Sequence, residues 1–184
     1  MPFDDEKMRL ENRLLGLLSQ ALQDRNRDEI VGSTLALGDL YLRLDSVPQA
    51  AAATERAMRI NKRDPHLWEM RAMICMAQNR PADAASSLRS ALAISPNDPG
   101  FLCALGDVLI AQQHIDSAME QYQAAIQIDP KFAPAHFCLG KALFVFGHDR
   151  AGALEEYSVL QPLDANLAKQ LFDVMYSKPK GKKK

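Results

Sequence analysis

Four histidines, three cysteines and one pair of adjacent glutamates are the first candidates for chemistry in this sequence. His66, His114, His136 and His148 could bind a metal or carry a proton, but none has a second histidine or a carboxylate four residues away, the spacing that places two ligands on one helix face. All four fall at segment starts or turns, where a solvated or rim histidine is expected. Cys75, Cys103 and Cys138 show no paired spacing and no neighbouring cue for a nucleophilic thiolate. They read as small buried hydrophobes, suited to a reducing, cytoplasmic setting. Glu155 and Glu156 read as an exposed helix face. Each glycine in the Leu-Gly-Asp and Leu-Gly-Lys triplets lies inside a helical pattern, whereas a phosphate loop opens a helix after a strand. No catalytic set emerges, no cofactor is implied, and the chain is expected not to be an enzyme.

The elements that carry these residues follow a fixed period. In the stretch from Pro99 to Pro130, Leu105-Gly106 sits in one apolar run, Ala118 opens a second, and Tyr122 and Ala125 follow at helical steps. A shift of 34 residues places Leu139-Gly140 on Leu105-Gly106, and a shift of 68 in the other direction places Leu37-Gly38 there. Ala57, Ala91 and Ala125 superpose at the same interval, as do Ala50, Ala84 and Ala118, and Pro96 with Pro130. Two helices joined by a tight turn, repeated four times, account for the pattern.

These letters resemble the tetratricopeptide repeat. The third copy matches with Leu102, Leu105, Gly106, Leu109, Ala118, Tyr122, Ala125 and Pro130, and the second with Trp68, Ala72, Ala84, Leu88, Ala91 and Pro96, though Arg71 replaces the expected leucine. The first copy has Leu37, Gly38, Tyr41, Ala50 and Ala57, with Lys62 in place of the closing proline. The fourth has Leu139, Gly140, Leu143 and Gly147, then slips by one residue so that Ala153 and Tyr157 take the second-helix positions. The resemblance implies an all-α, right-handed superhelical solenoid of helix-turn-helix repeats over residues 31–64, 65–98, 99–132 and 133–166.

Residues 1–30 are expected to hold a leading helix, with Asp4, Asp5 and Glu6 at its positive end and Leu10, Leu14, Leu18 and Leu22 along one stripe. Leu15 and Leu17 widen that stripe. The helix is either a cap on the first repeat or a dimerisation element. Asp28, Ser46 with Gln49, Asp64 and Asp98 read as helix starts, and Pro48, Pro65, Pro99 and Pro134 as first-turn prolines. Asp164 opens a closing helix over 164–176, with Leu167, Leu171, Val174 and Met175 on its inner face. Residues 177–184 read as a disordered, lysine-rich tail, or one that makes weak contact with an anionic surface.

The sequence has 184 residues, 47 % of them hydrophobic, enough for a sizeable core. Five of its 22 Lys and Arg lie in the last seven residues, which leaves 17 cations against 23 acids elsewhere, a balance that speaks against specific nucleic-acid binding by the body. No run is long and apolar enough for a membrane span, and the acidic amino terminus lacks a signal-peptide core, so a soluble, cytoplasmic, unprocessed protein is expected.

In the family, consecutive first helices line a concave groove, and the resemblance implies that the second, fifth, ninth, twelfth and thirteenth residues of each repeat face into it. In the first repeat these are Gly32, Leu35, Asp39, Leu42 and Arg43; in the second, His66, Glu69, Met73, Met76 and Ala77. In the third they are Gly100, Cys103, Asp107, Ile110 and Ala111; in the fourth, Pro134, Phe137, Lys141, Phe144 and Val145. The strip is mostly apolar with scattered acids, so the implied function is an adaptor or scaffold that holds a protein or peptide with apolar anchors, with a basic side chain for Asp39, Glu69 or Asp107. A secretion-chaperone-like protein holding an apolar client segment, and a self-assembling scaffold using the leading helix or the groove, remain as alternatives. Leu35, Asp39 and Met70 stand where a carboxylate clamp needs Lys, Asn and Arg, so capture of an acidic peptide terminus is not expected. The small residues are read as the crossing points of paired helices, which leads to a first expectation. Ala118→Leu should overpack its crossing and lower stability by about 1–3 kcal/mol in a denaturant titration.

Overall fold

The computed structural model describes residues 2–24 and 26–176, with side chains from residue 8 onward. The side chains of Asp4, Asp5 and Glu6, on which the helix-start reading rests, and the lysine-rich tail lie outside what is described. All secondary structure among them is helical, and the chain forms two compact units, Met1–Pro96 and Asn97–Lys184.

The first unit contains α1 (Pro2–Asp24), α2 (Arg27–Arg43), α3 (Val47–Ile60), α4 (Pro65–Ala77) and α5 (Pro81–Ile94). Helices α2 and α3 pair, as do α4 and α5, and α4 packs on both α2 and α3. Helix α1 lies on α2. Its Leu18, Ala21 and Leu22 join Ile30, Val31, Ala57, Met58 and Leu67, and its Leu14 and Leu18 pack beside Leu37, Tyr41, Ala50, Met70 and Ile74. The Tyr41 hydroxyl donates to Glu11 at 3.0 Å and ties the two helices polarly as well.

The second unit contains α6 (Pro99–Ala111), α7 (Ile115–Ile128), α8 (Ala133–Val145), α9 (Arg150–Leu163) and α10 (Ala165–Tyr176). Here α6 pairs with α7 and α8 with α9, while α8 also packs on α6 and α7. Helix α10 packs on both α8 and α9, where Ala168, Leu171 and Met175 meet Ala153 and Leu160.

Local chemistry sets the helix ends. The Asp64 carboxylate accepts from the His66 amide at 2.9 Å, and that of Asp98 from Gly100 at 2.8 Å and Phe101 at 3.1 Å, each just ahead of a first-turn proline. Asp164 caps α10 through the amides of Asn166 and Leu167. Two expected caps differ. Asn26, not Asp28, caps α2, which leaves Asp28 inside the first turn, where its charge still meets the positive helix end. Ser46 makes no side-chain cap bond. Pro48 has removed one of the two amides it would serve, the Gln49 amide bonds the Ser46 carbonyl, and the hydroxyl donates to the Leu44 carbonyl.

Within each pair the turn passes through one left-handed residue: Asp45 (φ 54°), Asn79 (φ 57°), Gln113 (φ 65°) and His148 (φ 51°). In the first three turns the next amide reaches back five residues, from Ser46 to Tyr41, Arg80 to Cys75 and His114 to Leu109. This bond closes a helix end that has turned left-handed. In the fourth, the Asp149 amide reaches back to Leu143, one residue further. That extra residue is the slip in the repeat.

The glycines meet different partners from those their spacing suggests. Ala50, Ala84 and Ala118 are fully buried, yet the notches left by Gly38, Gly106 and Gly140 are each filled by a large side chain. A Cβ on Gly38 would lie 2.8 Å from the Met70 sulfur, one on Gly106 would strike the Tyr122 ring, and one on Gly140 would lie 2.7 Å from Leu171. The small residue makes room for a neighbour's bulk, which restores close packing. His136 also departs from expectation. It is buried, its Nδ1 lies 2.6 Å from a Glu156 oxygen and its Nε2 3.0 Å from the Pro130 carbonyl, so it joins α8 to α9 while Glu156 is drawn off the solvated face.

Gln113 occupies a conformation that costs an L-residue about 1–2 kcal/mol and that asparagine tolerates better. Gln113→Gly should therefore raise the denaturation midpoint, by about 0.5–1 kcal/mol in stability, whereas Asn79→Gly should change it little.

Candidate functional site: the faces of the first helices

Adjacent first helices touch in each unit, α2 with α4 and α6 with α8, so the expected groove residues form two faces. On the first face Leu35 and Leu42 are half-buried against the core around Leu37 and Tyr41. Asp39 pairs with Arg43 at 2.9 Å, one helical turn on, and Glu69 lies 3.4 Å from the His66 ring. Met76 is half-buried, and Met73 is 45 % exposed, the open apolar group of this face. Both expected acids here already have a positive or protonatable neighbour.

The second face is different in kind. Phe137 and Phe144 are half-buried, each packed in part against the cluster of α9 and α10. Cys103 is buried and Ile110 half-buried. Asp107 is exposed, and its carboxylate accepts the Tyr122 hydroxyl at 2.7 Å. Beside it lies a hollow of about 290 Å³ lined by Asp107, Ile110, Cys138, Lys141, Ala142 and Phe146. Among the described residues no cation pairs with Asp107 and no acid with Lys141, although both side chains line this hollow.

The sequence pattern holds no sign of the Tyr122 contact, because Tyr122 is one of the residues that the repeats share for packing. Its ring fills the Gly106 notch while its hydroxyl reaches a residue that varies between copies. Phe146, outside the expected groove positions, also lines the hollow. The one-residue lengthening of the fourth turn was the available signal that this end of α8 would depart from the repeat.

Burial, and after it the Asp107 charge, pushes the Cys103 thiol from 9.0 up to about 12. Burial and Asp107 push Cys138 to about 12 as well, with Lys141 pulling the other way. The same two causes hold the Tyr122 phenol well above its usual range. These thiols are protonated and inert at neutral pH, the opposite of what a nucleophile needs. Among the described residues no three His, Cys, Asp or Glu side chains gather into a set that could hold a metal ion, and no helix is long and apolar enough to cross a membrane.

Successive helix pairs whose first helices pack side by side define a helical-repeat protein, a fold suited to a protein-interaction scaffold. A family profile described as "Tetratricopeptide repeat" matches residues 35–99, and one described as "TPR repeat" matches residues 106–145. The chain belongs to the tetratricopeptide-repeat proteins. It is 29 % identical over 120 residues to the cell division cycle protein 27 homolog of Caenorhabditis elegans, a match that covers 65 % of this chain and 15 % of that relative's length. Among solved structures it is similar to YrrB, described as a TPR protein with an unusual peptide-binding site, with TM-score 0.63, 21 % identity and coverage of 86 % of this chain and 88 % of that one. It is also similar to BtubC (BKLC) from P. vanneervenii, with TM-score 0.76, 16 % identity and coverage of 92 % and 81 %. At these identities the likeness to the solved structures is one of fold.

The raised thiols give a pH dependence with a definite sign. Below about pH 9 both are neutral in the folded and unfolded chain; between about 9 and about 12 the unfolded chain releases those protons and the folded chain keeps them. Stability should therefore fall as pH rises through that window. Thermal melts should show the decline, and Cys103→Ala with Cys138→Ala should make it shallower.

Proposed function

We propose that this protein is a non-enzymatic adaptor whose first-helix faces hold a partner peptide carrying a basic side chain beside apolar anchors. The observation that carries the reading is the Asp107 carboxylate. It is held in place by the Tyr122 hydroxyl at 2.7 Å, borders the hollow with Ile110 and Phe146, and has no cation of its own among the described residues. Asp39 and Glu69 have Arg43 and His66 beside them, so Asp107 is the acid of the three best placed for a partner's lysine or arginine. A carboxylate already positioned by one hydrogen bond loses less freedom on binding, and a hydrogen-bonded ion pair in a partly desolvated hollow exceeds one on an open surface. Ile110, Ala142 and Phe146 would take the apolar neighbour, and the Lys141 ammonium a backbone carbonyl or an acid of the same peptide. On the other face, Met73 and Met76 offer adaptable apolar area. YrrB, with its peptide-binding site, is a precedent within the fold.

A displayed random-peptide library panned against the full chain should enrich sequences in which lysine or arginine is flanked by apolar residues. Synthetic versions of those peptides should bind Asp107→Asn about tenfold more weakly, roughly 1.4 kcal/mol, in a fluorescence-anisotropy titration. Enrichment without a basic residue, or equal affinity for the variant, would overturn the assignment.

A further inference from the structure

The first unit holds a cavity of about 210 Å³ between α1, α2 and α3, and it shares no residue with the hollow beside Asp107. Most of its wall is hydrocarbon, from Leu18, Leu22, Ile30, Leu37, Ala57 and Ile60. An apolar void of about 150 Å³ already admits a benzene-sized molecule and stays dry without one, so this one has room for a short hydrocarbon chain.

Two polar residues of the wall set the chemistry of such a guest. Thr34, within α2, is 1 % exposed. A threonine inside a helix commonly donates its hydroxyl to the carbonyl four residues back, and the equally buried Thr54 does so with Ala50 at 2.9 Å. Thr34 makes no such bond, and no other hydrogen bond, among the described residues. No side-chain nitrogen or oxygen among these residues is both sealed off and unpaired, so the Thr34 hydroxyl opens onto the cavity that it lines. A purely hydrocarbon guest would leave that hydroxyl without a partner, at a cost. Water is a poor substitute, because a buried molecule needs about two to four polar partners. Tyr41, the other buried polar side chain of the wall, already donates to Glu11.

The second residue is Arg56, which is exposed, lines the cavity and makes no ion pair among the described residues. Leu15, Gln49 and Ala52 are exposed as well, so the cavity opens beside Arg56 and runs inward to Thr34. A guest therefore meets a cation at the mouth, hydrocarbon along the walls and one hydroxyl inside. A guanidinium matches a carboxylate with two parallel hydrogen bonds, which a neutral head group cannot return.

We propose that this cavity binds a medium-chain carboxylate with an oxygen substituent on its chain, a compound of the hydroxyalkanoate class. The carboxylate pairs with Arg56, the chain lies among Leu18, Leu22 and Ile60, and the chain oxygen bonds the Thr34 hydroxyl. This site is separate from the peptide reading above and stands or falls without it.

Calorimetric titration of the full chain with octanamide, octanoate and a series of hydroxyoctanoates, the hydroxyl moved along the chain, tests the assignment. Octanoate should bind about tenfold more tightly than octanamide, and the best hydroxyoctanoate about tenfold more tightly than octanoate. Thr34→Val keeps the shape of the side chain and should erase the preference for the hydroxylated acid while leaving octanoate affinity unchanged. Arg56→Gln should erase the preference for octanoate over octanamide. Ala53→Leu, at a half-buried lining position, should weaken every probe with helix content by circular dichroism unchanged. The proposal is overturned if no probe binds saturably up to millimolar concentration, or if no hydroxyoctanoate exceeds octanoate. It is overturned equally if octanamide matches octanoate, or if Thr34→Val retains the full preference for the hydroxylated acid.

Discussion

No helix pair in this chain can bury its own apolar surface. Each pair is amphipathic on more than one side, and burial of a leucine or phenylalanine contributes about 1.5–3 kcal/mol only when a neighbouring element covers it. The fit between elements is what makes that cover close. Met70 from α4 drops into the gap at Gly38, Tyr122 from α7 into the gap at Gly106, and Leu171 from α10 into the gap at Gly140. A methyl group at any of these positions would hold the elements apart. In two of the three cases the bulky partner comes from outside the glycine's own helix pair, so the interlock joins one pair to the next element. Helices α1 and α10 follow from the same need, since both supply apolar side chains to cores that the repeats alone leave open.

Packing and recognition share residues here. Tyr122 is 2 % exposed and part of the code common to the repeats, yet its hydroxyl holds Asp107, which is not. The acid that faces the hollow is therefore aligned by a side chain that the core already immobilises. Phe137 and Phe144 show the converse. Their positions in the repeat point them towards the groove, but the closing helix packs beside α8 and both lie partly against its cluster. The buried His136 does similar structural service, bonding the Pro130 carbonyl six residues before it and Glu156 twenty residues after it. Asp39 and Glu69 are occupied locally by Arg43 and His66, because a partner three or four residues along a helix is always within reach.

Much of the fold is legible in the residues taken one by one. Asp64, Asp98 and Asp164 cap as their types and places suggest, because a carboxylate that precedes a first helical turn has free amides in front of it. The one-residue slip in the fourth repeat appears as a longer turn with His148, not residue 147, in the left-handed conformation. Ser46 misled because a serine two residues before a proline has lost one of the amides it would have bonded. The candidate site was less legible than the fold. Whether Asp39 or Asp107 is free, and whether Phe144 is open or covered, depends on elements that the repeat period does not describe.

What the amino-acid sequence determined by itself is the repeat, the helix starts at Asp64, Asp98 and Asp164, the leading and closing helices, and the family. All of these rest on local chemistry or on a period that survives without knowledge of contacts. Tertiary structure decided which side chain fills the notches at Gly38, Gly106 and Gly140, that Tyr122 orients Asp107, that Phe137 and Phe144 lie partly against the cluster of α9 and α10, and that α1 leaves a cavity beside α3. The physical reason is distance along the chain. A cap or a turn is settled by residues two to six positions apart, whereas a notch or a cavity is settled by the volume and reach of side chains from 15 to 45 positions away, which no period records.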